Sequence, residues 1–224
     1  MTLTNSDDVD IMKRGHGLND STDVLVSPKD RMKNRMWRKS RSKTWREECF
    51  GADINRNYGF MWGTGDASFD PCNFQTYAGE KAFSEPETRL VRKVMKENSK
   101  RIKMYISIHS YGEYVLHPWG YTNTSFPDEL KKIRSLAQKF SKAVVKAGGR
   151  KFKIISAGQL YPAGGGSFDY AFAVEKIIYS YVLEITNGYE FIFPEKLLRT
   201  VLPQYYKGLK KMAKKIQREF SNKG

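Results

Sequence analysis

The sequence predicts an α/β domain with a mixed, largely parallel central sheet flanked by helices. Three observations carry that expectation. Strand-like stretches alternate with amphipathic helical ones along the chain, the order that produces crossover connections. The stretch KIIYSYVLEI, 176–185, is almost continuously apolar, as a strand covered on both faces is. A chain of 224 residues with 40% hydrophobic and 13% aromatic side chains is long and apolar enough to bury one large core.

Taken in order, residues 1 to about 30 are polar, with Asn-Ser-Asp-Asp and Asn-Asp-Ser-Thr-Asp clusters, and read as an irregular segment ahead of a domain at 31–224. Residues 50–80, rich in Gly, Asn, Asp and aromatics, read as a long ordered loop. A helix follows, with Ser84 as N-cap, Glu87 completing a capping box, and Leu90, Val91, Val94 and Met95 as its apolar face. In IKMYISIHSY, Ile102, Met104, Ile106 and Ile108 alternate with Lys103, Tyr105 and Ser107, a strand with one strongly buried face. A second helix, about 128–147, carries Ile133, Leu136, Ala137, Phe140 and Val144 and stops at Gly148-Gly149. Phe152 to Ile155 form a short strand, and the loop YPAGGGS leads into a brief helix at 167–173. After the apolar strand the chain is helical from Pro194, interrupted at Pro203, with Leu209, Met212, Ala213 and Ile216 as the apolar stripe of its last part. No internal repeat is present.

Several function classes are set aside by composition. No run of about 18 apolar residues exists, so nothing spans a membrane as a helix. The first fifteen residues lack the apolar stretch of a secretory signal. The net charge of +15 would suit nucleic acid, but the basic residues are dispersed. Two local concentrations, KDRMKNRMWRKSRSKTWR at 29–46 and YKGLKKMAKKIQREF at 206–220, account for much of the excess, and in the second, helical one they read as a solvated face. No nucleic-acid motif or stacking platform accompanies them, so no nucleic-acid partner is expected. The two cysteines, Cys49 and Cys72, are too few for a structural zinc site. Their spacing leaves two free thiols or one disulfide equally open.

Polar groups stand where burial is expected. His109 closes a strand at its carboxyl end, where open α/β sheets place ligands; an isolated histidine there could also be satisfied by a nearby carbonyl. Glu184 lies inside SYVLEI, where a carboxylate is costly unless it is ion-paired or serves as a base with a tuned pKa. Asn55 beside Arg56 pairs an amide with a guanidinium fork, a combination that can hold a carboxylate. Arg38 belongs to a basic run, and Tyr161 opens a glycine-rich segment that would let it swing over a site.

Together, NRMWRK, then C-x-G-x-D-x-N-R-N, then P-C-x-x-x-x-Y-x-G-x-x-A-F-S-E-P-E-T, then IHSYGEYVLHPWGY, then Tyr-Pro-Ala-Gly-Gly-Gly-Ser, then a glutamate in a late strand, resemble the zinc carboxypeptidase A/B family. The resemblance runs from about residue 34 to the C-terminus. It implies that His109 is a zinc ligand and Glu184 the catalytic glutamate that deprotonates the metal-bound water. It implies that Arg38 stabilises the oxyanion, that Asn55 and Arg56 grip the substrate's terminal carboxylate, and that Tyr161 closes over the terminal residue. Tyr111 lies beside the substrate subsites. Phe168, seven residues after Tyr161, sits where the family sets preference, and an apolar residue there implies aliphatic or aromatic C-terminal residues. Cys49 and Cys72 match a disulfide-bonded pair, which implies secretion.

The sequence also departs from that pattern. The family takes two further zinc ligands from an H-x-x-E motif upstream of MWRK; the three histidines here, His16, His109 and His117, are each followed three residues on by Asn19, Gly112 and Gly120. His117 is expected to be a loop histidine that binds no metal. Glu184-Ile185-Thr186 replaces the family's Glu-Leu-Arg. The sequence therefore reads as the C-terminal part of a monomeric, secreted peptide hydrolase, without the propeptide and roughly the first third of the catalytic domain. The alternative is a non-catalytic remnant that grips peptide C-termini without metal.

Overall fold

The computed structural model describes residues 2–3, 36–189 and 191–221. Five strands, β1 (Thr2–Leu3), β2 (Met104–Ser110), β3 (Tyr114–His117), β4 (Lys153–Ser156) and β5 (Tyr179–Ile185), form one sheet in the order β1-β2-β5-β3-β4. Every neighbouring pair is parallel except β3 with β5. The helices are α1 (Pro86–Asn98), α2 (Leu130–Lys146), α3 (Ser167–Ala173) and α4 (Glu195–Ser221). The mixed, largely parallel sheet is thus the one expected. Thr2–Leu3, inside the segment read as irregular, adds a short edge strand beside β2; the rest of that segment lies outside the described residues.

Two cores explain the layering. On one face Ile106, Val115, Tyr179, Tyr181 and Leu183 pack under α2 and α4. On the other, Tyr105, Leu116 and Val182 pack with Val91 and Met95 of α1 and Phe168, Tyr170 and Ala171 of α3. β2 is therefore covered on both faces, not on one as its alternation suggested: Tyr105 and Ile106 are both buried. Its polar alternates are a tyrosine, whose ring is largely apolar, and a serine, whose Oγ is bonded to His109 Nε2.

Three local expectations change. Ser84 does not cap α1; the N-cap is Glu85, with Pro86 opening the helix. Ser84 Oγ accepts from Asn57 Nδ2 and donates to Glu85 Oε1, while Asn57 Oδ1 receives the Glu85 N–H and the Thr88 hydroxyl. The cap is built by the loop, across sequence. Next, α4 runs unbroken through Pro203. That proline is solvent-exposed, and Tyr205, Gly208, Met212 and Ile216 keep one face buried along the helix, which outweighs one lost backbone bond. Ala213, assigned to that stripe, is exposed. Of the α1 stripe only Val91 and Met95 are buried, whereas Leu90 and Val94 face outward.

Candidate active site

β2 and β5 run parallel in register and finish together, with His109 directly opposite Glu184. That register puts both side chains at the carboxyl end of the sheet, on one face, and His109 Nδ1 stands 3.9 Å from Glu184 Oε1. Ser107, two residues back on the same face, holds the other ring nitrogen, its Oγ 2.7 Å from Nε2. Burial, helped by the positive charges of Arg38 and Arg56, lowers the His109 pKa to about 4, so the ring is neutral near pH 7. Burial raises Glu184 to about 7, with Arg38 pulling the other way. The pair is therefore a neutral imidazole beside a carboxyl poised to exchange a proton, not an ion pair.

The long loop carries Arg56 and holds Arg38, which lies outside it. Asp53, almost fully buried, caps the 3-10 turn Ile54–Arg56 by accepting the Asn55 N–H. Its Oδ2 also takes Arg38 Nη2 at 2.9 Å and lies 3.8 Å from Arg56 Nη1, so one carboxylate aligns both guanidiniums. Arg38 Nε donates to the Gln75 carbonyl. Arg56 forks onto Asp66 through Nε (2.7 Å) and Nη2 (2.8 Å), and Nη1 donates to the Asn55 carbonyl. Burial alone would lower the Arg56 pKa, but Asp66 and Asp53 raise it and keep the group charged. The Cys49–Cys72 disulfide is formed, with Cα atoms 5.1 Å apart, and it ties this loop across its length.

The glycine run does something other than loosen the chain. A Cβ on Gly164 would lie 2.0 Å from the Met61 carbonyl oxygen, and one on Gly165 2.2 Å from that of Arg56. Gly165 bonds Phe60 and Tyr58 through its N–H and carbonyl. These glycines permit close docking of the loop beneath Arg56, and the φ of +74° at Gly165 suits no other residue as well. Tyr161, at the head of the loop, is more than half exposed, with its ring 5.8 Å from the Arg56 guanidinium.

All eight side chains expected at the site, Arg38, Asn55, Arg56, His109, Tyr111, Tyr161, Phe168 and Glu184, line one cleft of about 240 Å³. Phe168 is buried on its inner wall against Gly120, where a Cβ would meet the ring at 2.5 Å. Tyr111 sits at the mouth, edge-on to Phe191 at 5.1 Å. Sequence reasoning missed Leu116, Val182 and Gly120 in the lining, and Asp53 and Asp66 behind the arginines. Asp53 stands inside the quoted C-x-G-x-D-x-N-R-N pattern and was within reach; nothing local marks Asp66. His117 ends β3 and is not in a loop; it is fully buried, lies outside the cleft lining, and its Nδ1 is 2.6 Å from the Pro118 carbonyl oxygen. Thr186, in the place of the family's arginine, is buried and receives no charge; its N–H donates to the Tyr205 hydroxyl.

A catalytic zinc needs three protein donors and an open position. Among the described residues the one converging group of His, Cys, Asp or Glu is Glu48, Cys49 and Cys72, and its sulphurs are spent in the disulfide. In the cleft, His109 is the sole histidine among the described residues. His16 lies outside the described residues.

Comparison with known proteins agrees with the fold. The zinc carboxypeptidase family profile matches residues 15–208. Carboxypeptidase B of Astacus astacus is 35% identical over 192 residues, 84% of this chain and 63% of that protein. Carboxypeptidase A2 of Rattus norvegicus is 34% identical over 187 residues, 82% of this chain and 44% of that protein. Among solved structures, bovine thrombin-activatable fibrinolysis inhibitor in complex with tick carboxypeptidase inhibitor superposes with a TM-score of 0.79 at 30% identity, covering 85% of this chain and 66% of the other. Carboxypeptidase A from Helicoverpa armigera gives 0.73 at 28% identity, covering 81% and 46%. The chain spans about half the length of the curated relatives it matches.

Proposed function

This chain belongs to the zinc carboxypeptidase family, and from that premise we propose that its cleft receives the C-terminal residue of a peptide and, where a complete zinc site is supplied, serves hydrolysis of the last peptide bond. One observation carries the reading. A guanidinium, an amide and a second guanidinium, from Arg56, Asn55 and Arg38, converge on a pocket walled by Phe168 and closed at its inner end by His109 and Glu184. A terminal carboxylate meets the guanidinium and the amide, and a side chain with apolar surface meets Phe168. Glu184, with its pKa near 7, takes the proton of the attacking water and returns it to the leaving amine. Arg38 faces the oxygen on which negative charge develops. Tyr161, exposed above Arg56, covers the bound residue. The disulfide supports an oxidising, extracellular setting.

Family membership implies a zinc ion, and the described residues do not fit it, because they bring one histidine to the cleft where three donors are needed. The same observation favours a second reading, a chain that binds peptide C-termini without cleaving them. Both share the recognition chemistry, which is testable directly. Isothermal titration with blocked peptides ending in Phe-carboxylate, Phe-amide and Arg-carboxylate should rank Phe-carboxylate first. Phe168→Asp should move preference toward the Arg-terminated peptide, since an unpaired cation is costly in an apolar pocket. Equal binding of the acid and the amide would sink the recognition site; a wild-type preference for Arg would overturn the apolar assignment alone.

A further inference from the structure

Arg56 makes the bonds expected of it at a substrate carboxylate, but it makes them to its own chain. Nε and Nη2 reach the two oxygens of Asp66 at 2.7 and 2.8 Å, the parallel fork that guanidinium forms with a free carboxylate. Nη1 is taken by the Asn55 carbonyl, with Asp53 3.8 Å away. All three guanidinium nitrogens therefore already have acceptors. The two partners are unequal: the Arg56 side chain is 5% exposed, while that of Asp66 is 37% exposed. Arg56 is fixed, and Asp66 has water within reach to move into.

The placement of Asp66 is built. It directly follows Gly65, which adopts a φ of +72° and pairs with Ala163 of the Tyr161 loop in an isolated bridge. A Cβ on Gly65 would lie 2.4 Å from the Pro162 carbonyl oxygen, so the backbone that carries Asp66 is pressed onto the loop that carries Tyr161. Charge balance follows. Arg38 and Arg56 face Asp53 and Asp66, so the two cations are formally neutralised before any ligand arrives. A ligand carboxylate on Arg56 would then stand close to Asp66 with no unspent positive charge between them.

We propose that Asp66 is an internal stand-in for the substrate's terminal carboxylate, and that a peptide C-terminus binds by displacing it from Arg56. The inference rests on the recognition reading above and adds a residue that sets its strength: Asp66 weakens carboxylate capture and makes it depend on competition for one guanidinium. A carboxylate that merely positioned Arg56 would have the opposite effect when neutralised, because the guanidinium would lose its alignment.

Titration of the 224-residue chain with a blocked peptide ending in Phe-carboxylate, and with the matching amide, separates the cases. Asp66→Asn keeps the shape and removes the charge; it should bind the acid about tenfold more tightly than the parent while amide binding stays unchanged. Asp66→Ala, read the same way, guards against an asparagine that re-forms the fork or fails to fold. Acid binding that is equal or weaker in both variants overturns the proposal and leaves the cleft reading intact. Acid and amide bound alike by parent and variants would remove the carboxylate site itself, and the proposal with it.

Discussion

Asp169 shows how a single buried residue holds the cleft wall in place. Its carboxylate accepts the N–H of Gly120 at 3.1 and 2.8 Å and that of Tyr121 at 3.1 Å, pinning the chain after β3 against the start of α3, beside Phe168. Asp169→Ala should cost about 2–3 kcal/mol in urea unfolding, since two donors lose their acceptor. Burial raises its pKa to about 7 from 3.8, with the two N–H groups only partly opposing. The folded state thus keeps a proton that the unfolded chain releases near pH 4. Folding takes up that proton between about pH 4 and 7, so the Asp169 contribution to stability falls as pH rises through that window, by about 4 kcal/mol at full extent. His109, held near 4, has the opposite slope between about pH 4 and 6.5. The clean readout is therefore the difference between parent and Asp169→Asn stabilities across pH. A difference that does not vary between pH 4 and 7 would show that the carboxyl is ionised in the fold throughout.

At the scale of elements, the loop from Cys49 to Cys72 matters more than its lack of regular structure suggests. It carries Asn55, Arg56 and Asp66, and it is held by the disulfide, by the Lys43–Phe50 and Ser68–Tyr77 bridges, and by Asn57 bonded across to Ala78, Lys81 and Ser84. Closing a loop of sequence separation 23 is worth about 3 kcal/mol in the chain-entropy model. A Cys49→Ser/Cys72→Ser double variant should lose about that much in urea unfolding; an unchanged midpoint would mean the hydrogen bonds alone fix the loop. Legibility follows the same line. The helices α2 and α3 and the strand β5 were readable because their apolar spacing is local, as with Ile133, Leu136, Ala137, Phe140 and Val144, all of which are buried. The start of α1 was misread because its cap comes from Asn57, far back in the chain. Pro203 was misread because the packing that overrides it belongs to α4 as a whole. The eight cleft residues were legible only through their joint resemblance to a family, since none is decisive alone. Asp66 was illegible because only the fold brings it to Arg56.

For the molecule as a whole, charge and metal raise separate questions. Much of the basic excess sits on α2 and α4, where Lys131, Lys142, Lys211 and Lys215 point to solvent and α2 carries no acidic residue. These lysines cover the outer side of two helices whose inner sides form the larger core, consistent with a solvated face. The metal is the sharper matter. The whole sequence holds three histidines and no H-x-x-E, and among the described residues only His109 reaches the cleft. One imidazole does not hold zinc against water and buffer. Equilibrium dialysis followed by metal analysis should therefore find well below one equivalent of zinc on the 224-residue chain, and the chain should release no C-terminal residue from a Phe-terminated peptide. Extending the chain with a segment that bears H-x-x-E should bring both properties. In that longer protein Glu184→Gln should abolish hydrolysis while sparing the metal, because the reading proposed above gives the proton to Glu184 and the ion to His109. Stoichiometric zinc with hydrolysis by the 224-residue chain itself would mean that residues outside the described set, His16 foremost, complete the site.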